Sequence, residues 1–311
     1  MADGYGSTGT GHLRVRALFI SDLHLGTRDC QAERLLDLLQ SCDAELIYLV
    51  GDVVDGWRLK ARWHWPRSHD DIVRCLLRKQ QDGAHILYIP GNHDEFLRHS
   101  IGVRLGGIEV VNEAIHHGVD GRRHLVVHGD RFDPVLGRMR RLAALGIWVY
   151  AASVLANDAM IRWRRRLGHD TGRNAACIAR FEQALAAEAR RQHVDGVICG
   201  HIHAPTMHDR LGVHYVNTGD WVESCTAVVE HQNGGFALLR WPADAPSHAV
   251  QIFAAGGPDM CALDMRALDM RALDTQATGS HAVVLPRLEP YARDADAPLR
   301  SDVRPGATQL S

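Results

Sequence analysis

The sequence predicts an α/β fold in which strands and helices alternate around one buried core. Three short apolar runs, each typical of a buried strand, lie at residues 15–21, 46–50 and 86–89. Amphipathic helical patterns at 30–40 and 69–81 separate them. With 46% hydrophobic residues among 311, the chain can bury a sizeable core.

The second half of the predicted fold is less regular. A short helix at 95–103 precedes a long, almost entirely helical stretch at 134–195, which indicates an insertion into the alternating pattern. Residues 57–66 have no clear period and are predicted to form a loop. The remaining apolar runs are predicted to complete the sheets, at 108–111, 125–127, 196–199, 213–216, 226–230 and 236–239.

The composition divides the chain into a globular domain at 14–253 and two polar ends. Residues 1–13 are rich in Gly, Ser and Thr, show no signal-peptide pattern, and are expected to be disordered. Residues 254–311 are of low complexity and contain a five-residue repeat at 260–274, which matches neither a helix nor a heptad. This tail is also expected to be disordered, without a catalytic role.

Charge and cysteine usage exclude several classes of protein. The net charge of −2 and pI of about 6.8 give no sign of a nucleic-acid-binding protein. The seven cysteines are scattered and never form a Cys-x-x-Cys pair, as expected for reduced thiols in the cytoplasm. The longest uncharged run, 142–156, is shorter than the roughly 20 residues that span a bilayer.

Polar residues follow the apolar runs wherever a predicted strand ends. Aspartate, asparagine and histidine without thiolate are ligands for Mn²⁺, Fe or Zn²⁺. These residues predict a two-metal site; they are Asp22, His24, Asp52, Asn92, His128, His201 and His203.

The predicted site divides into two ions that share Asp52, since one carboxylate has two oxygens to offer. Asp22, His24 and His203 would complete the first set, and the second is completed by Asn92, His128 and His201. Two such ions would activate a water between them and orient a phosphoryl group, so that a metal-bound hydroxide attacks phosphorus. His93 is predicted to protonate the leaving oxygen, and Asp94 to hold its imidazole.

The motifs Asp-x-His, Gly-Asp-x-x-Asp, Gly-Asn-His-Asp, His-Gly-Asp and Gly-His-x-His occur here in this order. Together they resemble the calcineurin-like metallophosphoesterase superfamily over about residues 15–240. The resemblance implies a four-layer α/β/β/α sandwich of two mixed sheets, here with a helical cap insertion, and metals at the strand ends. It agrees with the ligand division above.

Within this superfamily the chain is most similar to the branch containing UDP-2,3-diacylglucosamine pyrophosphatase of lipid A synthesis. That branch also has a helical insertion between His-Gly-Asp and Gly-His-x-His, and the segments 22–26 and 217–223 are similar to it as well. Two features depart from the better-understood members. They have Arg in place of His93, and a Cys-containing segment in place of residues 131–134.

Two segments are candidates for substrate contacts. Trp57, with Trp63 and Trp65, either plugs the metal cleft or stacks on a nucleobase or sugar, with Arg58 or Arg62 on phosphate. The insertion carries 11 arginines against five acidic residues and includes Arg162, Trp163 and Arg164. It either packs as a small helical subdomain or meets anionic headgroups and acyl chains.

Three functional hypotheses remain at this point. The favoured one is a cytoplasmic dimetal phosphohydrolase, peripheral at the inner face of the cell membrane, with Mn²⁺ as first choice. It would cleave a nucleotide-linked glycolipid of the UDP-2,3-diacylglucosamine type to UMP and a lipid sugar phosphate. The alternatives are a phosphatase or phosphodiesterase acting on a soluble nucleotide or phosphoprotein, and a catalytically silent scaffold of the same fold.

Overall fold

The computed structural model describes residues 13–133, 173–241 and 251–254. Within these ranges two sheets are formed by strands β1 to β13: Leu13–Ile20, Cys42–Val50, His85–Ile89, Arg104–Leu105, Ile108–Val110, Ala114–His117, Arg123–Val126, Gly196–Cys199, Thr206–His208, His214–Asn217, Thr226–Glu230, Phe236–Arg240 and Gln251–Ala254. The described helices α1 to α4 are Ala32–Ser41, Gly56–Ala61, Arg67–Gln81 and Arg173–Arg191. Two 3₁₀ helices lie at Glu95–Ser100 and Asp130–Phe132.

Both sheets are mixed. The larger has eight strands in the order β13-β12-β11-β1-β2-β3-β5-β4, and the smaller has five in the order β6-β7-β8-β10-β9. In the larger sheet β1, β2 and β3 are parallel, and in the smaller one β7 and β8 are parallel. The carboxyl ends of neighbouring parallel strands therefore lie at one edge of each sheet.

Three apolar clusters fill the spaces between the layers. Phe19 and Val50 of the larger sheet pack with Val126 and Ile198 of the smaller one, which makes the layer between the sheets. The outer face of the larger sheet is covered by α1 and α3, whose buried positions repeat at helical spacing: Leu35, Leu38 and Leu39 in α1, and Ile72 and Leu76 in α3.

The fourth layer is α4, which covers the outer face of the smaller sheet. Its residues Phe181, Leu185 and Ala189 are buried against strand residues such as Val197 and Tyr215. The four-layer α/β/β/α sandwich is thus present. The sequence predicts this helix as part of the insertion 134–195, and in the structure its buried face packs against the smaller sheet.

The predicted elements agree with the structure where a run is apolar, and differ at several polar or irregular segments. The loop predicted at 57–66 contains α2, which begins where the Asp55 carboxylate accepts a hydrogen bond from the Arg58 amide (2.8 Å). The helix predicted at 95–103 is a 3₁₀ helix ending at Ser100. Strands β4, β6, β9 and β13 were not predicted.

Some of the predicted segments lie outside the residues that the structure describes. The helices predicted inside 134–172, the N-terminal segment and the tail beyond 254 lie outside the described residues. Among the helices that are described, none is long and apolar enough to cross a bilayer.

Candidate metal centre

Polar side chains from the strand ends of both sheets meet at one place. His203, after β8 of the smaller sheet, lies with its Nε2 3.0 Å from an oxygen of Asp22, after β1 of the larger sheet. Likewise, Nε2 of His128 after β7 lies 3.4 Å from an oxygen of Asp52 after β2. The site is therefore built across the two sheets.

The backbone at these strand ends turns in the left-handed region, which side chains other than glycine rarely adopt. The φ angles are +53° at Asp22, +51° at His24, +51° at Asp52, +72° at His201 and +51° at His203. Each such residue costs of order 1–3 kcal/mol and persists only where the surroundings demand it. Its repetition in the predicted ligands is typical of a functional centre.

Gly91 permits Asp52 and His128 to lie close to the loop that carries Asn92. A Cβ on Gly91 would lie 2.2 Å from Asp52 Oδ1 and 2.7 Å from a ring carbon of His128. The space that a side chain would fill is thus occupied by the candidate ligands themselves, which explains why glycine precedes Asn92.

One group of candidate ligands consists of Asp22, His24 and His203, whose ligand atoms lie within 4.8 Å of one another. Nδ1 of His24 is 3.4 Å from the Asp55 carboxylate, which can only accept, so Nδ1 carries the proton. The lone pair of the neutral ring is then on Nε2, which is buried and has no hydrogen-bond partner among the described residues. Such a nitrogen is suited to a metal ion.

The other group consists of Asp52, His128 and His201, again within 4.8 Å. Nδ1 of His128 donates to the Val50 carbonyl (2.8 Å), so Nε2, which faces the Asp52 carboxylate, is the nitrogen that can exchange a proton for a metal ion. Nε2 of His201 donates to Asp133 (3.0 Å), which leaves Nδ1 of its neutral ring as an acceptor. These acceptors converge on one another, an arrangement that a cation between them would satisfy.

Asn92 lies between Gly91 and His93, both of which approach Asp52, and it has an unsatisfied amide oxygen. The residue is only 6% exposed, and its Oδ1 has no hydrogen-bond partner in the described part of the chain. A buried amide oxygen without a partner is costly, and a metal ion at this place would offset that cost. The donor set therefore fits divalent ions with mixed oxygen and nitrogen coordination.

The electrostatics of the site favour ionised carboxylates. Burial opposes ionisation of Asp52, but His128 and His93 outweigh it and hold the pKa of this carboxyl well below its usual range. Burial likewise opposes a charge on His128, yet Asp52 raises the pKa of this imidazole to about 10. The field that stabilises a proton on His128 would also stabilise a metal ion.

The carboxylate beside His93 is not the one that the sequence predicts. Asp94 does not serve as the holder of this ring: its carboxylate accepts from the Tyr88 hydroxyl (2.5 Å) and from the amides of Val53 (2.8 Å) and Gly91 (2.6 Å). The carboxylate 3.1 Å from His93 Nδ1 is that of Asp55. Asp94 organises the loop backbone instead.

Asp55 thus contacts two imidazoles, a role that its sequence position alone does not assign. Its Oδ2 lies near both His24 and His93, and its Oδ1 caps α2. Burial opposes ionisation, but the hydrogen bonds from His24 and His93 lower the pKa of Asp55. The spacing Gly-Asp-x-x-Asp was the available signal for this residue.

The residues predicted to contact the substrate differ in their exposure and in whether the structure describes them. The Trp57 ring lies over His93, with ring centroids 4.2 Å apart, whereas Trp63 is 73% exposed. Arg58 is partly buried and Arg62 is exposed. The predicted contacts of these residues with substrate remain predictions, and Arg162, Trp163 and Arg164 lie outside the described residues.

Comparison with known families decides the class of this centre. The family model for calcineurin-like phosphoesterases matches residues 15–205, which include every candidate ligand and His93. The chain belongs to the calcineurin-like phosphoesterase family. It is accordingly a metal-dependent phosphoesterase, a family of hydrolases that use divalent ions, and the clusters above are where this chain can hold them.

The individual proteins that are similar to this chain have low sequence identity to it. The chain is 25% identical over 234 residues to a UDP-2,3-diacylglucosamine hydrolase of Shewanella baltica, covering 67% of this chain and 90% of the relative. A protein of the same name from Nitrosococcus oceani is 26% identical over 223 residues, covering 67% and 88%. Among solved structures, Vps29 of Entamoeba histolytica matches with a TM-score of 0.42 and 15% identity, covering 76% of this chain and 96% of that one.

Proposed function

We propose that this phosphoesterase hydrolyses a phosphoanhydride or phosphodiester bond with two divalent ions, Mn²⁺ foremost. We further propose that its substrate is a nucleotide-linked glycolipid of the UDP-2,3-diacylglucosamine type. The observation that carries the two-ion proposal is the presence of buried, unsatisfied acceptor atoms in both groups: Nε2 of His24 in one, and Nε2 of His128 and Oδ1 of Asn92 in the other. The names of the relatives support the substrate.

In this proposal the ligands divide as the motifs predict. Asp22, His24 and His203 would hold one ion, Asn92, His128 and His201 would hold the other, and Asp52 would be shared. The two clusters described above support the two sets, with Asp52 in the second. When bound, the ions neutralise charge on the phosphoryl oxygens and lower the pKa of an attacking water. Fe and Zn²⁺ suit the same donors.

His93 is proposed as the acid that protonates the leaving oxygen. Its Nδ1 is held by Asp55, so Nε2 is the nitrogen that would deliver a proton. Trp57 lies against the ring and restricts its orientation, which supports a fixed direction for that transfer. In this position Trp57 and Arg58 would also border the leaving group of the substrate.

Membrane contact is proposed from charge. The basic stretch containing Arg162, Trp163 and Arg164 would meet anionic headgroups at the inner face of the cell membrane while apolar neighbours accept acyl chains. A protein acting on a soluble nucleotide has no need of such a segment. Replacing these three residues by serine should reduce co-sedimentation with anionic vesicles and spare turnover of a small soluble phosphodiester.

The purified protein with Mn²⁺ should release UMP from UDP-2,3-diacylglucosamine. Asp52→Ala and His128→Ala should abolish hydrolysis, whereas His93→Ala should reduce turnover and leave metal binding intact. Release of free phosphate instead of UMP, or hydrolysis only of soluble nucleotides, would replace the glycolipid by the soluble alternative. Absence of turnover on a generic aryl phosphodiester with any divalent ion would favour the silent scaffold.

A further inference from the structure

The second group of ligands depends on the relative position of the two sheets. Asp52 and Asn92 follow strands of the larger sheet, and His128 and His201 follow strands of the smaller one. Any shift of one sheet against the other changes the distances among them. A contact that joins the two strand ends beside this group would hold those distances fixed.

Arg98 makes such a contact. It lies in the 3₁₀ helix Glu95–Ser100, and its Nη2 donates to the backbone carbonyls of Pro90 (3.2 Å) and Gly91 (3.4 Å), the two residues directly before Asn92. The same nitrogen lies 2.9 Å from each carboxylate oxygen of Asp130, two residues after His128. One guanidinium thus connects the loop after β3 with the loop after β7.

The Arg98–Asp130 ion pair lies largely out of contact with solvent. The Asp130 side chain is 2% exposed and that of Arg98 is 24% exposed, so solvent screens the pair weakly. Removing one partner of a buried ion pair is strongly unfavourable. Without Arg98, the Asp130 carboxylate, two residues after His128, would lose both of its contacts with the guanidinium.

We propose that Arg98 is a positioning residue: paired with Asp130, it ties the Asn92 loop of one sheet to the His128 loop of the other and thereby sets the affinity for the second metal ion. The proposal rests on the two-ion site of the proposed function. Arg98 touches neither the ions nor the substrate in this role. It acts through the geometry of Asn92 and His128.

The test is direct metal binding by the full-length protein, measured by isothermal titration with Mn²⁺. The wild-type protein should bind two equivalents. In Arg98→Ala one of the two steps should weaken about 10- to 100-fold, the usual effect of losing a residue that orients metal ligands, while the other step changes little. Arg104→Ala is the matched control: Arg104 is 69% exposed and pairs with Glu109 (3.2 Å), so both steps should keep wild-type affinity.

Asp130→Asn provides a second variant, since it keeps the size of the side chain and removes its charge. It should weaken the same step, and it decides the matter if circular dichroism shows that Arg98→Ala is unfolded. Wild-type affinity in both steps, or equal weakening of both, in a folded variant would overturn the proposal. If the wild-type protein binds two Mn²⁺ but hydrolyses nothing, the proposed function fails while this inference stands.

Discussion

The substitution Gly91→Ala tests the geometry of the metal centre most sharply. The new methyl carbon would lie 2.2 Å from Oδ1 of Asp52, where an ordinary contact is about 3.5 Å, so the carboxylate or the loop must move by about 1.3 Å. Both neighbours are candidate ligands, since the same carbon would also lie 2.7 Å from His128. No rotation of a flexible side chain relieves this overlap, because Asp52 is buried and held by its neighbours.

A displacement of about 1 Å at a catalytic centre typically costs about 100-fold in rate. We therefore expect kcat/KM of Gly91→Ala on an aryl phosphodiester with Mn²⁺ to fall by about 100-fold or more, together with weaker binding of Mn²⁺. Gly235→Ala is the control, because its new carbon would meet only the Asn233 side chain at 3.3 Å. Wild-type turnover and metal affinity in Gly91→Ala would refute the reasoning.

Three further predictions concern other parts of the molecule. Asp55→Asn keeps the size of the side chain but removes the charge beside His24 and His93, so kcat/KM should fall about 10- to 100-fold; an unchanged value would contradict the role assigned to Asp55. Burial and the nearby His214 lower the pKa of His124 to about 3, so the unfolded chain binds the extra proton and stability should decrease as pH falls from about 6.5 toward 3. Between pH 7 and pH 5 the loss measured by urea unfolding should be about 2 kcal/mol larger in the wild type than in His124→Gln, and equal pH dependence would count against it. Leu39→Ala in the fully buried face of α1 should lower the free energy of unfolding by about 2–5 kcal/mol, whereas substitution of the exposed Arg67 should change it by less than about 0.5 kcal/mol.

The long elements were predictable because their patterns are local. In α3 the buried residues Ile72, Cys75 and Leu76 recur at helical spacing, and β1 and β2 end in continuous apolar runs at 17–20 and 46–50. Short elements carry no such period. Strands of two to four residues such as Arg104–Leu105 and Ala114–His117 are strands because a neighbour pairs with them, which their own residues do not reveal.

The sequence placed α4 in the insertion because it does not reveal which element a helix packs against. The alanine-rich composition of α4 predicted a helix correctly, but composition does not tell whether a helix packs on another helix or on a sheet. The partner of Phe181 and Leu185 is the smaller sheet, whose strands β6 to β10 lie both before and after the helix in the chain. Such a partner is known only once the chain has folded.

The residue types at the strand ends, and their order along the chain, are enough to indicate a metal-dependent phosphoesterase. Which of these residues contact one another depends on the folded chain. Asp94 is adjacent to His93 in the chain, yet its carboxylate is taken up by Tyr88 and loop amides, and Asp55 holds the ring instead. The reason is that the direction of a side chain, and its distance from other residues, depend on how the two sheets pack. Adjacency in the sequence does not specify that packing.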